Sequence, residues 1–361
     1  MKFKPEYLPE KAKILLIRLK SIGDVTLNTA VIPIIKDNYP DCSLDYLAMT
    51  PCDQIVRNNP NLNEILKFSK RGGWKGFIEW LGLLKRIRKN DYHLVIDMHG
   101  GPRSSLITAL SGAKFKVGLA RSRRARFYNV RVDPVFDRSV LAVEFQLRMI
   151  ELLGLKIRSQ TPQIFLLDEE LHAVREKIQQ VGVNPEKSFA VVHPGVDSIH
   201  NQWQPEKFAE IADTIQTKHD IQVLFDFAPS EASQVREVLK YMKTPARALQ
   251  TTLREFAAAT RQAKFLLTHN GGPMHMGAAL GVPVFALFGP VAPDRWVPQV
   301  EPHLVFYKQL ECSPCDLSSR KEECFKGDSE CKRLISAEEV LAGIEKILGL
   351  DVVIPERSKT E

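Results

Sequence analysis

Short apolar runs alternate with amphipathic stretches along the chain. In the first half, the segments 13–19, 43–48 and 93–100 have the length and composition of buried strands. A helix-like stretch from Val25 to Lys36 separates the first two, and a basic amphipathic segment from Trp74 to Lys89 precedes the third. This alternation predicts β-α-β units, in which helices cover parallel strands.

The same alternation restarts in the second half of the chain. Strand-like segments at 188–195, 221–228 and 282–289 are interleaved with helical patterns such as the stretch from Pro205 to His219. Two successive doubly wound halves without a GxGxxG fingerprint favour a GT-B type fold over a dehydrogenase. We therefore predict an α/β protein with two Rossmann-like, doubly wound domains that face each other across a central cleft.

The 361 residues of the chain exceed what one hydrophobic core usually supports. We predict an N-terminal domain at 1–165, a linker at 166–185, a C-terminal domain at 186–335, and a C-terminal helix and tail at 336–361. Ligands bind such folds at the carboxyl ends of the strands. The chemistry is therefore expected in the cleft, and the hinge for its closure near residues 155–185.

The charge narrows the range of partners. The 50 Lys and Arg residues against 43 Asp and Glu give a net charge of +7 at pH 7. This suits an anionic partner such as a nucleotide-sugar, a phospholipid surface or a phosphorylated glycan. No nucleic-acid-binding signature accompanies the charge, so we expect no nucleic acid partner. The first apolar run is too short for a signal peptide, and none reaches the roughly 18 residues of a membrane span, so we expect a cytoplasmic protein.

Four of the six cysteines form the cluster Cys312, Cys315, Cys324 and Cys331. Their spacing is typical of a zinc knuckle. The intervening segment is polar, and a cytoplasmic setting disfavours obligatory disulfides. We interpret the cluster as a small surface loop with partly buried thiols and expect no bound metal.

The turn from Lys20 to Asp24 joins the first strand to the first helix. Gly23 permits a tight backbone there, and Asp24 lies at or near the start of the helix. A carboxylate at this position has two interpretations. It is the N-cap of the helix, or it faces the cleft and accepts the proton of an acceptor hydroxyl.

A second turn, from Thr268 to His275, leads from a buried strand into a helix with Pro273 in its first turn. Free backbone N–H groups at Gly271 and Gly272 and the positive end of the helix predict a cradle for a diphosphate. His275 either donates to a phosphate or sugar oxygen or is a core histidine with partners of its own.

Two weaker features occur at other strand ends of the second half. The sequence His193-Pro194-Gly195 closes one strand, and Glu231 lies beyond another. Glu231 is suited to bind the two hydroxyls of a ribose. The alternative is a solvated glutamate in the first turn of a helix, which the helix dipole favours.

Basic residues concentrate in the first half. The loop with Arg121, Arg123 and Arg124 follows a strand, where it would face the cleft, and Arg103 directly precedes a predicted helix. Guanidinium groups recognise phosphates and carboxylates, although a solvated surface explains such charges equally. The aromatic and basic segment from Trp74 to Lys89 fits an interfacial helix, or a core-packed helix with a basic outer face.

Five segments, in this order, resemble the heptosyltransferases of glycosyltransferase family 9. They read ILLIRLKSIGDV, VIDMHGGPRSS, VVHPGV, QWQPEKFAEIA and LLTHNGGPMHMGAALGVPVFALFGPVAP. The resemblance spans about residues 13 to 345. Its most specific parts are the strand-Gly-Asp turn and the Gly-Gly-Pro block.

This resemblance implies an inverting transfer of heptose from ADP-heptose to the Kdo/heptose region of a lipopolysaccharide inner core, without metal or cofactor. Asp24 would be the general base, and Lys20, Ser21, Arg103 and the arginine loop would bind the acceptor. The donor would be bound by Pro194, Gly195, Asn201, Glu231, Asn270, Gly271, Gly272 and His275. A lipid-linked acceptor implies peripheral contact with the cytoplasmic face of the inner membrane.

Two positions depart from the family pattern. Many members carry an acidic residue at the place of Asn270, and a Lys or Arg two positions before Trp203, where this chain has Asn201. Both lie on the donor side, so the sequence does not determine which nucleotide-sugar is the donor. The alternatives are a related GT-B transferase that uses another nucleotide-sugar, and a non-catalytic relative that binds nucleotide-sugar or glycan.

Overall fold

The computed structural model describes residues 3–69, 73–135, 140–158, 161–197, 201–298, 301–315, 324 and 329–350. In this part of the chain the strands form two six-stranded sheets. The first sheet contains β1 (Lys13–Ile17), β2 (Ser43–Met49), β3 (Glu64–Phe68), β4 (Leu94–Asp97), β5 (Phe115–Leu119) and β6 (Val130–Val132). The second contains β7 (Phe189–His193), β8 (Gln222–Phe227), β9 (Arg247–Gln250), β10 (Leu266–His269), β11 (Val284–Leu287) and β12 (His303–Phe306).

Every strand pairs in parallel with its neighbours. The order is β3-β2-β1-β4-β5-β6 in the first sheet and β12-β11-β10-β7-β8-β9 in the second. The direction in which strands are added therefore reverses between β1 and β4, and again between β7 and β10. Such reversal points are the usual ligand positions of open α/β sheets, at the carboxyl ends of the strands. We call each sheet with its helices the first and the second unit.

Helices cover both faces of each sheet. They are α1 (Ile22–Asn28), α2 (Val31–Asn38), α3 (Gly73–Lys89), α4 (Pro102–Leu110), α5 (Ala142–Glu151), α6 (Asp168–Gln180), α7 (Pro205–His219), α8 (Ala232–Leu239), α9 (Leu253–Gln262), α10 (Gly272–Ala279), α11 (Glu330–Arg333) and α12 (Ala337–Leu348). None of the helices in the described ranges is long and apolar enough to cross a membrane.

The central strands are apolar along most of their length because both of their faces are buried. Ile14 and Leu16 of β1 belong to one core cluster, while Leu15 and Ile17 belong to another on the opposite face. Both clusters are fully buried, which removes the polar-apolar alternation of a half-exposed strand.

The single helix predicted from Val25 to Lys36 is two helices in the structure. Pro33 cannot donate a hydrogen bond to the carbonyl of Thr29, and its ring would clash with that carbonyl in a continuous helix. The chain turns before it, and α2 begins at Val31, so that Pro33 lies in the first helical turn, where no N–H is required.

At the other end of the chain, α12 packs against α7 and β12 of the second unit.

Candidate functional site

A cleft of about 1040 Å³ opens where the carboxyl ends of the strands of the two units face each other. Groups that follow β1 line one wall, and groups at the ends of β7, β8 and β10 line the other. The residues of this lining that the sequence predicts are Ser21, Gly23, Asp24, Gly195, Asn201, Glu231, Asn270, Gly271, Gly272 and His275.

Asp24 lies in the first turn of α1 and lines the cleft. Its Oδ2 accepts from the backbone N–H of Ser21 at 3.3 Å and from the Ser21 hydroxyl at 3.2 Å. Its Oδ1 lies 2.6 Å from Nη2 of Arg18. Ser21 is the N-cap and Asp24 is its capping-box partner, so Asp24 has a capping role, although not at the N-cap position itself. The carboxylate instead reaches back to the cap from the third helical position, because residues three apart share a helix face.

The start of α10 packs directly against the start of α1. A β-carbon added to Gly272 would lie 2.8 Å from Cγ2 of Ile22, and one added to Gly23 would lie 2.8 Å from Cδ2 of His275. Glycine at both positions therefore lets two helix N-termini, one from each unit, meet at the cleft. Their unpaired N–H groups and positive dipole ends form a site suited to an anion.

His275 is buried and lines the cleft from the first turns of α10. Its Nδ1 has no hydrogen-bond partner among the described residues, so this atom is open to a ligand, unlike that of a core histidine whose polar atoms are all paired. Burial lowers the pKa of His275 to about 4. The imidazole is therefore neutral near pH 7 and acts as a polar group rather than a cation.

Unpartnered polar atoms gather in this cleft. Besides His275, the buried oxygens Asn201 Oδ1, Thr268 Oγ1 and Asn270 Oδ1 lack a partner within the described part of the chain. Buried polar atoms are stabilised only when they are paired, so these atoms indicate a polar ligand rich in hydrogen-bonding groups. None of the described lining residues is a Lys or Arg. Apart from His193, whose two ring nitrogens each face a carboxylate, the groups available to an anion are thus backbone N–H groups and neutral side chains.

A buried network of charged side chains holds the Glu231 carboxylate in place and favours its ionised form. Nδ1 of His193 lies 3.0 Å from Oδ2 of Asp226, and Nε2 lies 3.5 Å from Oε2 of Glu231. Burial opposes a charge on His193, but the hydrogen bonds with Asp226 and Glu231 raise its pKa to about 9. Burial likewise opposes ionisation of Glu231, but pairing with His193 lowers the pKa of that carboxyl.

Glu231 is consequently a fixed, charged carboxylate at the cleft. It also accepts from the N–H of Ala228 at 2.7 Å and precedes α8. The alternative of a solvated first-turn glutamate is wrong. Gly195 is required beside it, because an added β-carbon would collide with the Glu231 carboxylate.

Six predicted residues are not part of this lining. Pro194 lies between two residues that line it, and Lys20 is exposed next to Ser21. Arg103 is exposed on α4, and Nε of Arg121 lies 2.5 Å from Oδ1 of Asp133. The remaining two are Arg123, which is exposed, and Arg124, which is half-buried. Acceptor binding by the basic residues stays a prediction.

Several lining residues were missed by sequence reasoning. Asp226, whose Oδ1 accepts from Oγ1 of Thr251 at 2.6 Å, pairs with His193 within the cleft lining. His269 is buried at the end of β10, and its Nε2 accepts from the backbone N–H of Trp203 at 2.9 Å. The available signal was a lone polar residue inside or at the end of an apolar strand, which seldom occurs without a partner.

The cysteines of the cluster are not among the residues that line the cleft. Cys331 is buried, Cys312 and Cys315 are half-buried, and all are free thiols. Residues 316–323 and 325–328 lie outside the described part of the chain. Among the described residues, no three His, Cys, Asp or Glu side chains are placed to hold a metal ion.

Two parallel sheets that face each other across a cleft, with a helix N-terminus from each unit at its centre, define the architecture of a GT-B type glycosyltransferase. The chain belongs to glycosyltransferase family 9 (heptosyltransferase), whose family model matches residues 80–326. The predicted family, enzyme class and fold are thereby confirmed.

Individual relatives match nearly the whole chain. The lipopolysaccharide heptosyltransferase 3 of Escherichia coli K12 is 25% identical over 352 residues, 93% of this chain and 98% of that protein. A family 9 glycosyltransferase structure from Veillonella parvula has a TM-score of 0.82 at 22% identity, covering 97% and 99% of the two chains. The E. coli ADP-heptose lipopolysaccharide heptosyltransferase II structure has a TM-score of 0.76 at 21% identity, covering 94% and 99%.

Proposed function

We propose that this chain is an inverting transferase that moves a heptose from ADP-heptose to the inner core (Kdo/heptose region) of lipopolysaccharide. The similarity to a lipopolysaccharide heptosyltransferase 3 and to an ADP-heptose lipopolysaccharide heptosyltransferase II supports this donor and acceptor. The observation that carries the proposal is that Asp24 of the first unit and the start of α10 of the second unit meet on one cleft.

The proposed reaction is a single displacement. The acceptor hydroxyl gives its proton to the Asp24 carboxylate while its oxygen attacks the anomeric carbon of the heptose. The bond from that carbon to the β-phosphate oxygen breaks, its electron pair leaves with ADP, and the configuration inverts. Arg18 and Ser21 hold the two carboxylate oxygens in place. General-base catalysis of this kind contributes roughly 10²- to 10⁴-fold.

On the donor side, the diphosphate would lie at Gly271 and Gly272, where the N–H groups of the helix start would stabilise the developing negative charge. Glu231 would bind the ribose hydroxyls beside Pro194 and Gly195. The unpartnered atoms of Asn201, Asn270 and His275 would bind the diphosphate and the sugar. Because this arrangement stabilises the leaving group through preorganised neutral donors, we expect turnover without an added divalent metal.

On the acceptor side, Lys20 and Ser21 adjoin Asp24 and would contact the core sugar that is glycosylated. Arg103, Arg121, Arg123 and Arg124 would bind phosphate or carboxylate groups of the inner core. The acceptor carries a lipid anchor, so the proposal includes a cytoplasmic enzyme in peripheral contact with the inner membrane.

The test is ADP release from ADP-heptose and a heptose-deficient core acceptor in EDTA. Asp24→Asn keeps the side-chain volume and an acceptor for the Ser21 N–H but cannot take a proton at pH 7, so turnover should fall at least about 100-fold. Glu255→Gln is the matched control, because Glu255 occupies the same capping position in α9 with Thr252 as N-cap. It should retain turnover, and both variants should unfold cooperatively.

Asn201 and Asn270 favour one second candidate, a family member with another nucleotide-sugar donor. Turnover of a different donor with ADP-heptose inert would replace the proposed donor and leave the Asp24 assignment standing. Binding of nucleotide-sugar without any turnover would replace catalysis by a binding function. Full turnover by Asp24→Asn would remove the base assignment.

A further inference from the structure

Helix α3 exposes a row of large apolar side chains. Trp74 is 73% exposed, Phe77 47%, Ile78 54% and Leu81 44%. The spacing of three and four residues places them on one side of the helix. Trp74 and Phe77 contact each other, with ring centroids 5.6 Å apart. The helix is attached to its sheet through a different side, on which Leu83 and Ile87 are buried.

Helix α4 extends this surface. It packs beside α3 on the same face of the first sheet, and Ile107 shares a core cluster with Leu83 and Ile87. Its outer side presents Leu106 and Leu110, which are 38% and 36% exposed and lie one turn apart. We name the exposed residues the α3–α4 face, which consists of Trp74, Phe77, Ile78, Leu81, Leu106 and Leu110.

The charges around the α3–α4 face are basic. The exposed cations of the two helices include Lys75, Lys85, Arg88, Lys89 and Arg103. The only acid in either helix sequence is Glu79, and its Oε1 accepts from the backbone N–H of Ser69 at 2.9 Å. An apolar row with a basic border complements a bilayer that has anionic headgroups, and it does not complement a neutral one.

The position of the α3–α4 face suits a lipid-linked acceptor. A helix that follows a strand in a parallel sheet begins near the carboxyl end of that strand. The first turns of α3 and α4, with Trp74, Phe77 and Arg103, therefore lie toward the sheet edge where Asp24 lines the cleft. An interfacial aromatic row at this end places the cleft beside the surface from which an acceptor headgroup projects.

We propose that the α3–α4 face docks the enzyme on an anionic phospholipid bilayer and that this docking delivers the lipid-linked acceptor to the cleft. The docking itself stands on the exposed apolar row and its basic border. The delivery of acceptor rests on the proposed function.

Vesicle flotation tests the docking. The native chain should bind vesicles of phosphatidylethanolamine and phosphatidylglycerol and not vesicles of phosphatidylcholine alone. The Trp74→Ser/Phe77→Ser double variant should lose roughly tenfold or more of the partitioning, because it removes two interfacial aromatic side chains. Leu152→Ser is the matched control, since Leu152 is 55% exposed on the segment that ends α5, outside the α3–α4 face. It should bind as the native chain does.

Two acceptors separate docking from chemistry. On a core acceptor embedded in the anionic vesicles, the double variant should lose at least about tenfold in rate, in line with its lost partitioning. On a deacylated, water-soluble core oligosaccharide it should match the native rate. A native chain that turns over the soluble acceptor without binding vesicles overturns the docking and leaves the proposed function intact. Vesicle binding without turnover of either acceptor overturns the delivery role and the proposed function but supports the docking.

A second copy of the chain is the rival occupant of this face. Sedimentation velocity of the native chain and the double variant distinguishes the two. If the native chain and the double variant are both monomers, the result supports a bilayer as the occupant of the α3–α4 face. A native dimer that becomes monomeric in the double variant shows that the α3–α4 face is a subunit interface and overturns the proposal.

Discussion

His193 shows how one residue fixes the charge of a binding group. It lies at the end of β7, almost fully enclosed, with a carboxylate at each ring nitrogen. Two carboxylates in a shared, poorly solvated space repel each other, and an imidazolium between them removes that repulsion. Glu231 is therefore held as an anion in one orientation by a cation that does not itself face bulk solvent. We interpret His193 as a positioning residue for the proposed ribose contact.

Replacing His193 with Gln should lower the free energy of unfolding by on the order of 3 kcal/mol at pH 6.5, from the difference between a pKa of about 9 and the ordinary value near 6.5. The folded-state pKa is raised, so the stabilisation is complete below about pH 6.5 and is lost as the pH rises through about 9. Urea unfolding of both proteins should show a smaller difference in the free energy of unfolding at pH 9.5 than at pH 6.5. His172→Gln, at an exposed position on α6, is the control. If the native chain and the His193 variant differ in unfolding free energy by the same amount at both pH values, the charged state of His193 is contradicted.

The sequence was informative about residues that follow strands. Asp24, Glu231 and His275 could be identified because each occurs where a strand pattern ends in a turn. The residues that form hydrogen bonds with them could not be identified from the sequence. Whether Asp24 or Ser21 is the N-cap depends on which residue first adopts helical backbone angles. The two positions are three residues apart, and their Ser-x-x-Asp spacing, which fits a capping box, was the available signal.

At the scale of elements, the site depends on the close approach of α1 and α10. Glycine normally weakens a helix, and Ala in its place adds up to about 1 kcal/mol. Gly272 is an exception, because an added β-carbon would lie 2.8 Å from Cγ2 and 2.9 Å from Cβ of Ile22. Backbone proximity between two helix starts, rather than a special dihedral angle, is the reason for this glycine.

Gly272→Ala should therefore destabilise the protein by about 1 to 3 kcal/mol, the usual result of overpacking, and should raise the KM for the donor by spreading the cradle. Gly82→Ala in α3 is the matched control. No atom lies within 4 Å of a β-carbon added there, so it should be neutral or stabilising. Denaturant titration measures the first effect and initial rates measure the second. Equal, favourable effects of the two substitutions would show that α1 and α10 do not pack tightly in solution.

At the scale of the whole molecule, the two-unit architecture was predictable, because strands buried on both faces leave continuous apolar runs and the pattern restarts in the second half. The contacts that fix the position of one unit relative to the other could not be predicted. Arg254 is a charged residue in the first turn of α9, yet it is only 8% exposed and binds parts of both units. Its Nε and Nη2 donate to Glu170 of α6 at 2.8 and 2.5 Å, Nη2 donates to the carbonyl of Phe165, and Nη1 donates to the carbonyl of Gln54.

Glu170 completes this link between the units. Its Oε2 also accepts from Nδ2 of Asn58, in the first unit, at 3.1 Å. Hydrogen bonding with Arg254 lowers the pKa of Glu170. The pair thus joins the first unit, the segment predicted as linker and hinge, and the second unit at one point. Pairs formed by residues so far apart in the chain carry no periodicity that a sequence pattern could reveal.

Arg254→Gln should lower the free energy of unfolding by about 2 to 4 kcal/mol, because it leaves the partly buried Glu170 carboxylate without its cation. Lys177→Gln is the matched control. Lys177 pairs with Glu255 between the same two helices but is 47% exposed, so its loss should amount to less than about 1 kcal/mol. Guanidinium unfolding compares the two, and scattering of the ligand-free proteins should show a larger radius of gyration for the Arg254 variant alone. A small, equal effect of both substitutions, with no change in dimensions, would show that the relative position of the units is set by the α1–α10 contact and not by Arg254.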